Sequence, residues 1–513
     1  FIMQFSIQNL LGLSEKLSPI KRWLPILLIL LTALILYHHQ IDRQSLWIDE
    51  LYSVRDVKTG KGFPPHNLVR PIYYLLLSVW MKFGNSDAWL RSLASVFGIG
   101  SIFLTYLISC RLKFKLEGYI AAILLTLSPL FIYHSQQVRM YSLTTLSGLL
   151  GTLFMIQVLE RPSDFAMAWW AVFRLISILT LPLNLTLILP DLFLAIIKFR
   201  RQYNLVIKFA KWLLIMCVVW SPLFLLRLIP ATRNFSTDPV QQGRPSPNIV
   251  NCLRFLREFV VLPPFLADQV NPDTILIWVY RIITLSLIIL VGIALVTALR
   301  KENSSKTLWV AAWGFIPLMQ IFLASNLFFS IWLDRYLLFT LPYFLILLAS
   351  GLVKVLERNR IIALILILLY GFAVFNGLSN YYTANLHRDF RGMVNIIKTH
   401  EKNDDIVVWA IEDWINTLPL FHYDHGYAEI VVAPRPPSSR TKIKQGKMED
   451  WFEELPATKS RLWLLCKLNS KNEELFKNIV TQRYQIQDHQ RFKDQNGKLN
   501  YHVFLVLPTH HEG

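Results

Sequence analysis

RPIYYLLLSVWMKFG, residues 70–84, is the stretch on which the reading of this 513-residue chain turns. Its middle is apolar enough for a membrane, but at 1.5 Å per residue it reaches only ~21 Å, against ~30 Å of hydrocarbon. Pro71 suits the first position of a helix. The stretch reads as an interfacial helix that closes a long loop without crossing.

The rest of the chain makes that choice consequential. Of its residues 54% are hydrophobic and only 17% charged, where a soluble chain carries about a quarter charged. Apolar runs fall near 23–41, 87–110, 118–134, 141–158, 165–181, 183–199, 209–228, 273–298, 307–327, 333–353 and 361–379. If 70–84 does not cross, five short basic segments share one side: Lys16, Lys21 and Arg22; Arg111, Lys113 and Lys115; Lys198, Arg200 and Arg201; Arg300, Lys301 and Lys306; and Lys354, Arg358 and Arg360. That is the positive-inside pattern, and counting 70–84 as a span would scatter it. The expectation is a polytopic α-helical membrane protein of about 11 spans, up to 13, with its N-terminus inside and an uncleaved first helix.

The formal charge of +18 is then explained by cytoplasmic loops and anionic head groups. No basic, aromatic-rich module suggests nucleic acid as a partner. Cys110, Cys217, Cys252 and Cys466 are widely spaced, without zinc or disulfide spacing. From about residue 381 the pattern changes. DDIVVWA, AEIVVA, RLWLLCKL and YHVFLVLP alternate with helix-like segments, predicting a small C-terminal α/β extramembrane domain over 381–513. Residues 1–380 form the transmembrane module, with outward loops at 42–86 and 229–272.

Polar residues that could carry chemistry collect on the outward side. SLWIDELYSV (45–54) puts Asp49 and Glu50 just beyond the first span. Two acids there are either a solvated loop start or a general base and metal ligand at head-group depth. Arg70 is either a snorkelling cation or a bidentate phosphate ligand. YHSQQVRMYS (133–142) crowds His134, Gln136, Gln137, Arg139 and Tyr141 into one turn, and a charge beside a span is costly unless it faces a cavity or partner. SIWLDRY (330–336) adds Asp334, Arg335 and Tyr336. No Walker A, GxSxG, HExxH or GxGxxG element stands in a fitting context. An enzyme facing outward would need an activated donor carried by lipid.

Four stretches, in order over about 40–380, give a resemblance: LWIDELYS, RPIYYLLLSVWMKFGNSDAWLRSLASVFG, LSPLFIYHSQQVRMYSL and DRYLLFTLPYFLILLASGL. Together they resemble the GT-C glycosyltransferases, in the branch of the protein O-mannosyltransferases and the aminoarabinose lipid A transferases. The resemblance implies transfer of a hexose or pentose from a polyprenyl-phosphate donor to a lipid, glycan or protein acceptor on the outer face of the inner (plasma) membrane. It assigns Asp49 as general base, with Glu50 the adjacent acid. It gives the donor phosphate to Arg70, Arg139 and Arg335, and leaves Tyr74, His134, Gln137, Tyr141 and Tyr336 as substrate contacts. The chain departs from its relatives in having Gln136 and Gln137 where they often place an acid. A metal site shared by the two loops would lose a ligand, so at most a weak Mg or Mn dependence is expected. RPIYY also lacks a second proline that many relatives carry. Other classes stay open. A flippase for lipid-linked glycans would need polar residues through the midplane. An envelope scaffold would use the C-terminal domain for recognition. An O-antigen ligase or polymerase would use basic residues of a late loop, here Arg233, Arg244, Arg254 and Arg257.

Overall fold

The structure, a computed structural model, describes residues 19–59, 70–229, 245–260, 275–300, 305–411, 417–433, 445–453, 455, 458–468, 470–493 and 500–509. The chain divides into two compact units, Phe1–Ile41 with Asp56–Thr383, and Asp42–Arg55 with Ala384–Gly513.

The first unit is helical. In chain order it holds α1 (Pro19–His38), the end of α2 (Ile48–Lys58), α3 (Pro71–Trp80), α4 (Asp87–Arg111), α5 (Lys115–Thr126), α6 (Pro129–Ser135), α7 (Tyr141–Glu160) and α8 (Asp164–Thr180). After a 3-10 turn (Pro182–Leu187) come α9 (Ile188–Phe199), α10 (Tyr203–Leu223), α11 (Ile249–Val260), α12 (Ile275–Arg300), α13 (Ser305–Leu327), α14 (Asp334–Leu337), α15 (Leu341–Arg358) and α16 (Arg360–Thr383). Each of the eleven apolar runs is helical. By length and composition eight helices among the described residues can cross a membrane, and a bent pair makes up to nine. Two runs fall short of that test: Trp23–His38 is a shorter apolar helix, and α8 is 17 residues long and carries Arg174. The helix from the deciding stretch, α3, has ten residues, about 15 Å, too short to cross.

Local chemistry explains the breaks. The run expected as one span over 118–134 is α5 and α6, bent by 64°. Pro129 has no N–H to continue the ladder, and Ser128 caps a new helix through Phe131 N at 3.4 Å. The central helix is the one spanning Asp334–Arg358, 89% buried over its apolar window, whereas only 11% of the Tyr203–Leu226 window is buried. The exposed leucines and isoleucines of the outer helices are the surface that lipid covers.

One buried ion pair ties several of these helices together. Arg174 on α8 and Asp191 on α9 are both fully buried. Arg174 Nε donates to Asp191 Oδ2 at 2.6 Å and Nη2 to Oδ1 at 3.0 Å. The carboxylate also accepts from Trp170 Nε1 (2.7 Å) and Trp313 Nε1 (2.8 Å). The guanidinium donates onward to Gly148 O and Thr152 Oγ1 on α7, and Thr152 meets Tyr343 of α15 at 2.6 Å. A Cβ on Gly151 would lie 2.9 Å from Arg174 Nη1, so glycine leaves the guanidinium its path across α7.

A second network closes the end of α1. Gln136 Nε2 donates to Tyr37 O (2.9 Å), His39 O (3.1 Å) and Leu36 O (3.4 Å). Its oxygen accepts from Tyr381. Tyr382 reaches Leu36 O at 2.6 Å, and the buried Arg91 reaches Ile41 O at 2.9 Å. These groups satisfy carbonyls that a helix end leaves without partners.

The second unit joins residues 42–55, with the start of α2, to a small α/β fold: α17 (Phe390–His400), β1 (Ile406–Ala410), α18 (Leu418–His422), β2 (Glu429–Val432), α19 (Gln445–Glu453), β3 (Leu462–Leu468), α20 (Ser470–Arg483), β4 (Tyr484–Lys493) and β5 (Asn500–Pro508). The sheet order is β2-β1-β3-β5-β4. β1 is parallel to β2 and β3, and β5 runs antiparallel to β3 and β4. β3 is buried along its length and packs with Phe452, Phe476, Ile479 and Phe504. Four strands match the sequence expectation. The fifth, β4, reads YQIQDHQRFK, too polar to signal a strand, because an edge strand pairs through its backbone and leaves one face wet.

Replacing Arg174 with Met strands a buried carboxylate and should cost about 3–5 kcal/mol of stability, read as thermal unfolding of the detergent-purified chain. Adding Asp191→Asn should recover part of that loss by removing the stranded charge, and only part, because the single amide oxygen keeps one of the two indole hydrogen bonds. At the end of α1, Gln136→Ala should cost about 1–3 kcal/mol. Gln136→Glu should cost more in the same assay, since a carboxylate has no N–H to give and adds negative charge at the carbonyl end of a helix.

Candidate functional site

In the second unit the acidic stretch is held by the segment that opens the α/β fold. Gln44 Nε2 donates to Ala384 O at 2.9 Å, and its oxygen accepts from the N–H groups of Leu386 (2.8 Å) and His387 (2.7 Å). Ser45 Oγ donates to Asp389 Oδ1 at 3.1 Å and accepts from Arg391 N at 3.0 Å. Leu46 N donates to the Tyr423 hydroxyl at 2.6 Å. Asp389 also caps α17 through Gly392 N at 2.9 Å, and a Cβ at Gly392 would collide with the Asp389 carboxylate. The DFRG stretch (389–392) supplies part of this clamp. EDW (412–414) lies outside the described residues.

The clamp sets α2, and α2 sets the two acids. Glu50 is fully buried. Its Oε2 accepts from Trp47 N at 2.8 Å, the glutamate half of a capping box, and lies 4.0 Å from His387 Nδ1. His387 in turn stacks with Trp47, centroids 6.2 Å apart. Glu50 therefore fixes the start of the helix. Asp49 is half-buried in its first turn, where the helix dipole favours a carboxylate.

In the first unit the structure brings most of the remaining candidates together. α6 ends at Ser135, just after His134, a five-residue turn follows, and α7 starts at Tyr141. His134 Nδ1 and Gln137 Oε1 are 3.2 Å apart, and the His134 ring meets Tyr141 edge-on at 5.1 Å. Tyr141 lies 6.3 Å from Tyr336. Each tyrosine carries an arginine on its face: Arg139 at 5.9 Å from Tyr141 and Arg335 at 5.6 Å from Tyr336. Arg70, the residue before Pro71 of α3, brings Nη1 to 4.0 Å from Met140 Sδ in the same turn. Arg70, Arg139 and Arg335 are all half-buried. Asp334 is half-buried before Arg335 and within electrostatic reach of Arg254 on α11. Guanidinium groups on aromatic faces, partly withdrawn from water, suit a phosphate.

Tyr74 is placed differently. It is buried on α3, with Tyr73 as its ring neighbour at 5.8 Å. Arg233 and Arg244 lie outside the described residues. Gln136, where relatives often have an acid, is the cap of α1 described above. Sequence reasoning missed Arg174 and Asp191, whose signal was a charge in the middle of each of two otherwise apolar runs. It also missed His387 and Tyr423, which had no local signal. Among the described residues, the group of side chains close enough to hold a metal ion is Glu473, His489 and His502.

No family model and no curated protein matches the chain. Solved structures do. ArnT from Cupriavidus metallidurans bound to undecaprenyl phosphate is 12% identical and matches with a TM-score of 0.59, over 95% of this chain and 98% of that one. Its apo state matches at 11% identity with a TM-score of 0.58. The Archaeoglobus fulgidus oligosaccharyltransferase tethered with an acceptor peptide matches at 10% identity with a TM-score of 0.52, over 96% of this chain and 76% of that one. At these identities the likeness is one of fold, and it extends over nearly the whole chain: this protein has the GT-C fold of membrane glycosyltransferases.

Proposed function

We propose that the chain transfers a sugar, hexose or pentose, from a polyprenyl-phosphate donor to an acceptor on the outer face of the inner membrane. The observation that carries this reading is the Arg139–Tyr141–Tyr336–Arg335 array with Arg70 beside it. Half-buried cations on fixed aromatic faces bind a phosphate ester and stabilise it as it departs. The likeness to a structure holding undecaprenyl phosphate supports the same ligand class here. In this reading Asp49 takes the acceptor hydroxyl proton, the acceptor oxygen bonds to the anomeric carbon with inversion, and the bond from that carbon to the phosphate oxygen breaks. Glu50 keeps α2 in place for that role. The basic segments at 111–115, 198–201 and 354–360 support an orientation with both long polar loops and the C-terminal unit outside. The acceptor is a lipid, glycan or protein.

The test is transfer of radiolabelled sugar from polyprenyl-phosphate donors by membranes containing the chain. Asp49→Asn should lower the rate by about 10²–10⁴-fold, the range of a general base, with donor binding retained. Arg139→Gln and Arg335→Gln should each weaken donor binding by about ten- to a hundredfold, from ~1.5–3 kcal/mol per charged hydrogen bond. EDTA should leave transfer in place. Full transfer by Asp49→Asn would remove the base assignment, and no transfer from any donor by folded protein would favour a transporter or scaffold. Truncation at residue 385 is unsuited to testing the C-terminal unit, because it strips Gln44 and Ser45 of the partners that hold Asp49.

A further inference from the structure

The sheet of the second unit carries a group of side chains that sugar transfer does not use. Glu473 lies in the first turn of α20, His489 on the edge strand β4 and His502 on β5. One ligand atom from each lies within 4.8 Å of the other two. His489 Nε2 is 2.9 Å from His502 Nδ1, with the ring planes 6° apart. Phe504 stacks on His489 at 4.1 Å and holds its ring orientation. Glu473 and His502 are buried, and His489 is half-buried at the open edge of the sheet. Cys466 is the cross-strand neighbour of His502 on β3. The second nitrogen of His502, Nε2, is buried with no hydrogen-bond partner among the described residues.

Two imidazoles and a carboxylate, brought from three elements to the polar end of an apolar core, are the donor set of a zinc-type ion. For metal–ligand bonds of about 2.0–2.1 Å, tetrahedral ligand atoms stand about 3.3 Å apart. To ligate one ion the two imidazole nitrogens give up their mutual hydrogen bond, its proton moving to the other nitrogen of the same ring or to solvent, and open by a few tenths of an ångström. Glu473 is already oriented from outside: Arg491 Nη2 donates to its two oxygens at 2.5 and 2.6 Å, and Lys477 Nζ lies 3.1 Å away. Both cations are partly solvated. A bound ion shares the carboxylate with them, and they act as the outer shell that fixes a ligand's geometry. With three protein ligands, the fourth position of such an ion falls to water.

We propose that Glu473, His489 and His502 bind a divalent transition-metal ion of the zinc class, which pins the edge strand β4 to β5 and to α20. The site is separate from the residues assigned to transfer, and its test does not use transfer. Metal-stripped full-length chain in detergent is titrated with Co²⁺ and read by visible absorption. One equivalent should give the ligand-field bands of a four-coordinate site, displaced by Zn²⁺, and should raise the melting temperature. His502 is fully buried and its replacement risks unfolding, so His489→Gln and the near-isosteric Glu473→Gln decide the question, with circular dichroism as the control for folding. Each should weaken Co²⁺ binding at least tenfold and abolish the bands. Absence of bands in the wild type, or bands that persist in both variants, would overturn the proposal and place any bound ion on others of the chain's twelve histidines.

Discussion

The helical unit depends on a charge pair that has no water to fall back on. Arg174 and Asp191 are both fully buried, and stranding either one in the bundle leaves a charge that the surroundings cannot solvate. The pair is tolerable because it is surrounded by partners: two guanidinium bonds to the carboxylate, two indoles donating to it, and a carbonyl and a hydroxyl on α7 taking two further guanidinium protons. Such an arrangement exists for one relative placement of α7, α8, α9, α13 and α15. Apolar helices in lipid slide against one another with little penalty, since a tail is as greasy as a leucine. A directional network removes that freedom, and the pair is best understood as the device that selects this packing.

The same logic separates what the sequence revealed from what it hid. Hydropathy located eleven helical runs because burial in lipid acts on whole segments, and the average over twenty residues survives local exceptions. The bend between Thr126 and Pro129 was visible in principle, since serine followed by proline starts a helix, but one apolar average ran across it. The strand at Tyr484–Lys493 escaped because its pairing is made by backbone groups that every residue has. Arg174 and Asp191 stood out as charges in the middle of apolar runs, yet their union depends on a turn and a packing angle that no local rule supplies.

At the candidate site, legibility divides by role. Arg139, Tyr141, Arg335 and Tyr336 were singled out from two stretches almost two hundred residues apart, and the fold joins them through the contact of two tyrosine rings. Residue type alone could not sort chemistry from scaffolding in the same stretches. Gln136, which reads as a replaced acid, holds three carbonyls at the end of the first helix. Arg91, inside another of the resemblance stretches, does the same for Ile41. Glu50, paired with Asp49 on paper, turns inward to its own helix start. Part of what makes these stretches recognisable is the architecture of helix ends.

The clamp around Gln44 has a consequence for how the chain is made. Gln44 bonds to Ala384, 340 positions later, and Leu46 bonds to Tyr423, 377 positions later. At ~5–20 residues per second, the acidic stretch leaves the ribosome roughly 20–70 s before the segment that will hold it. Through that interval it has none of those partners, while the helices between are inserted one after another. Assembly of the second unit thus waits for residues 384 onward. A ribosome that stalls after the final span would leave an inserted bundle with the stretch around Asp49 still lacking the clamp that shapes it.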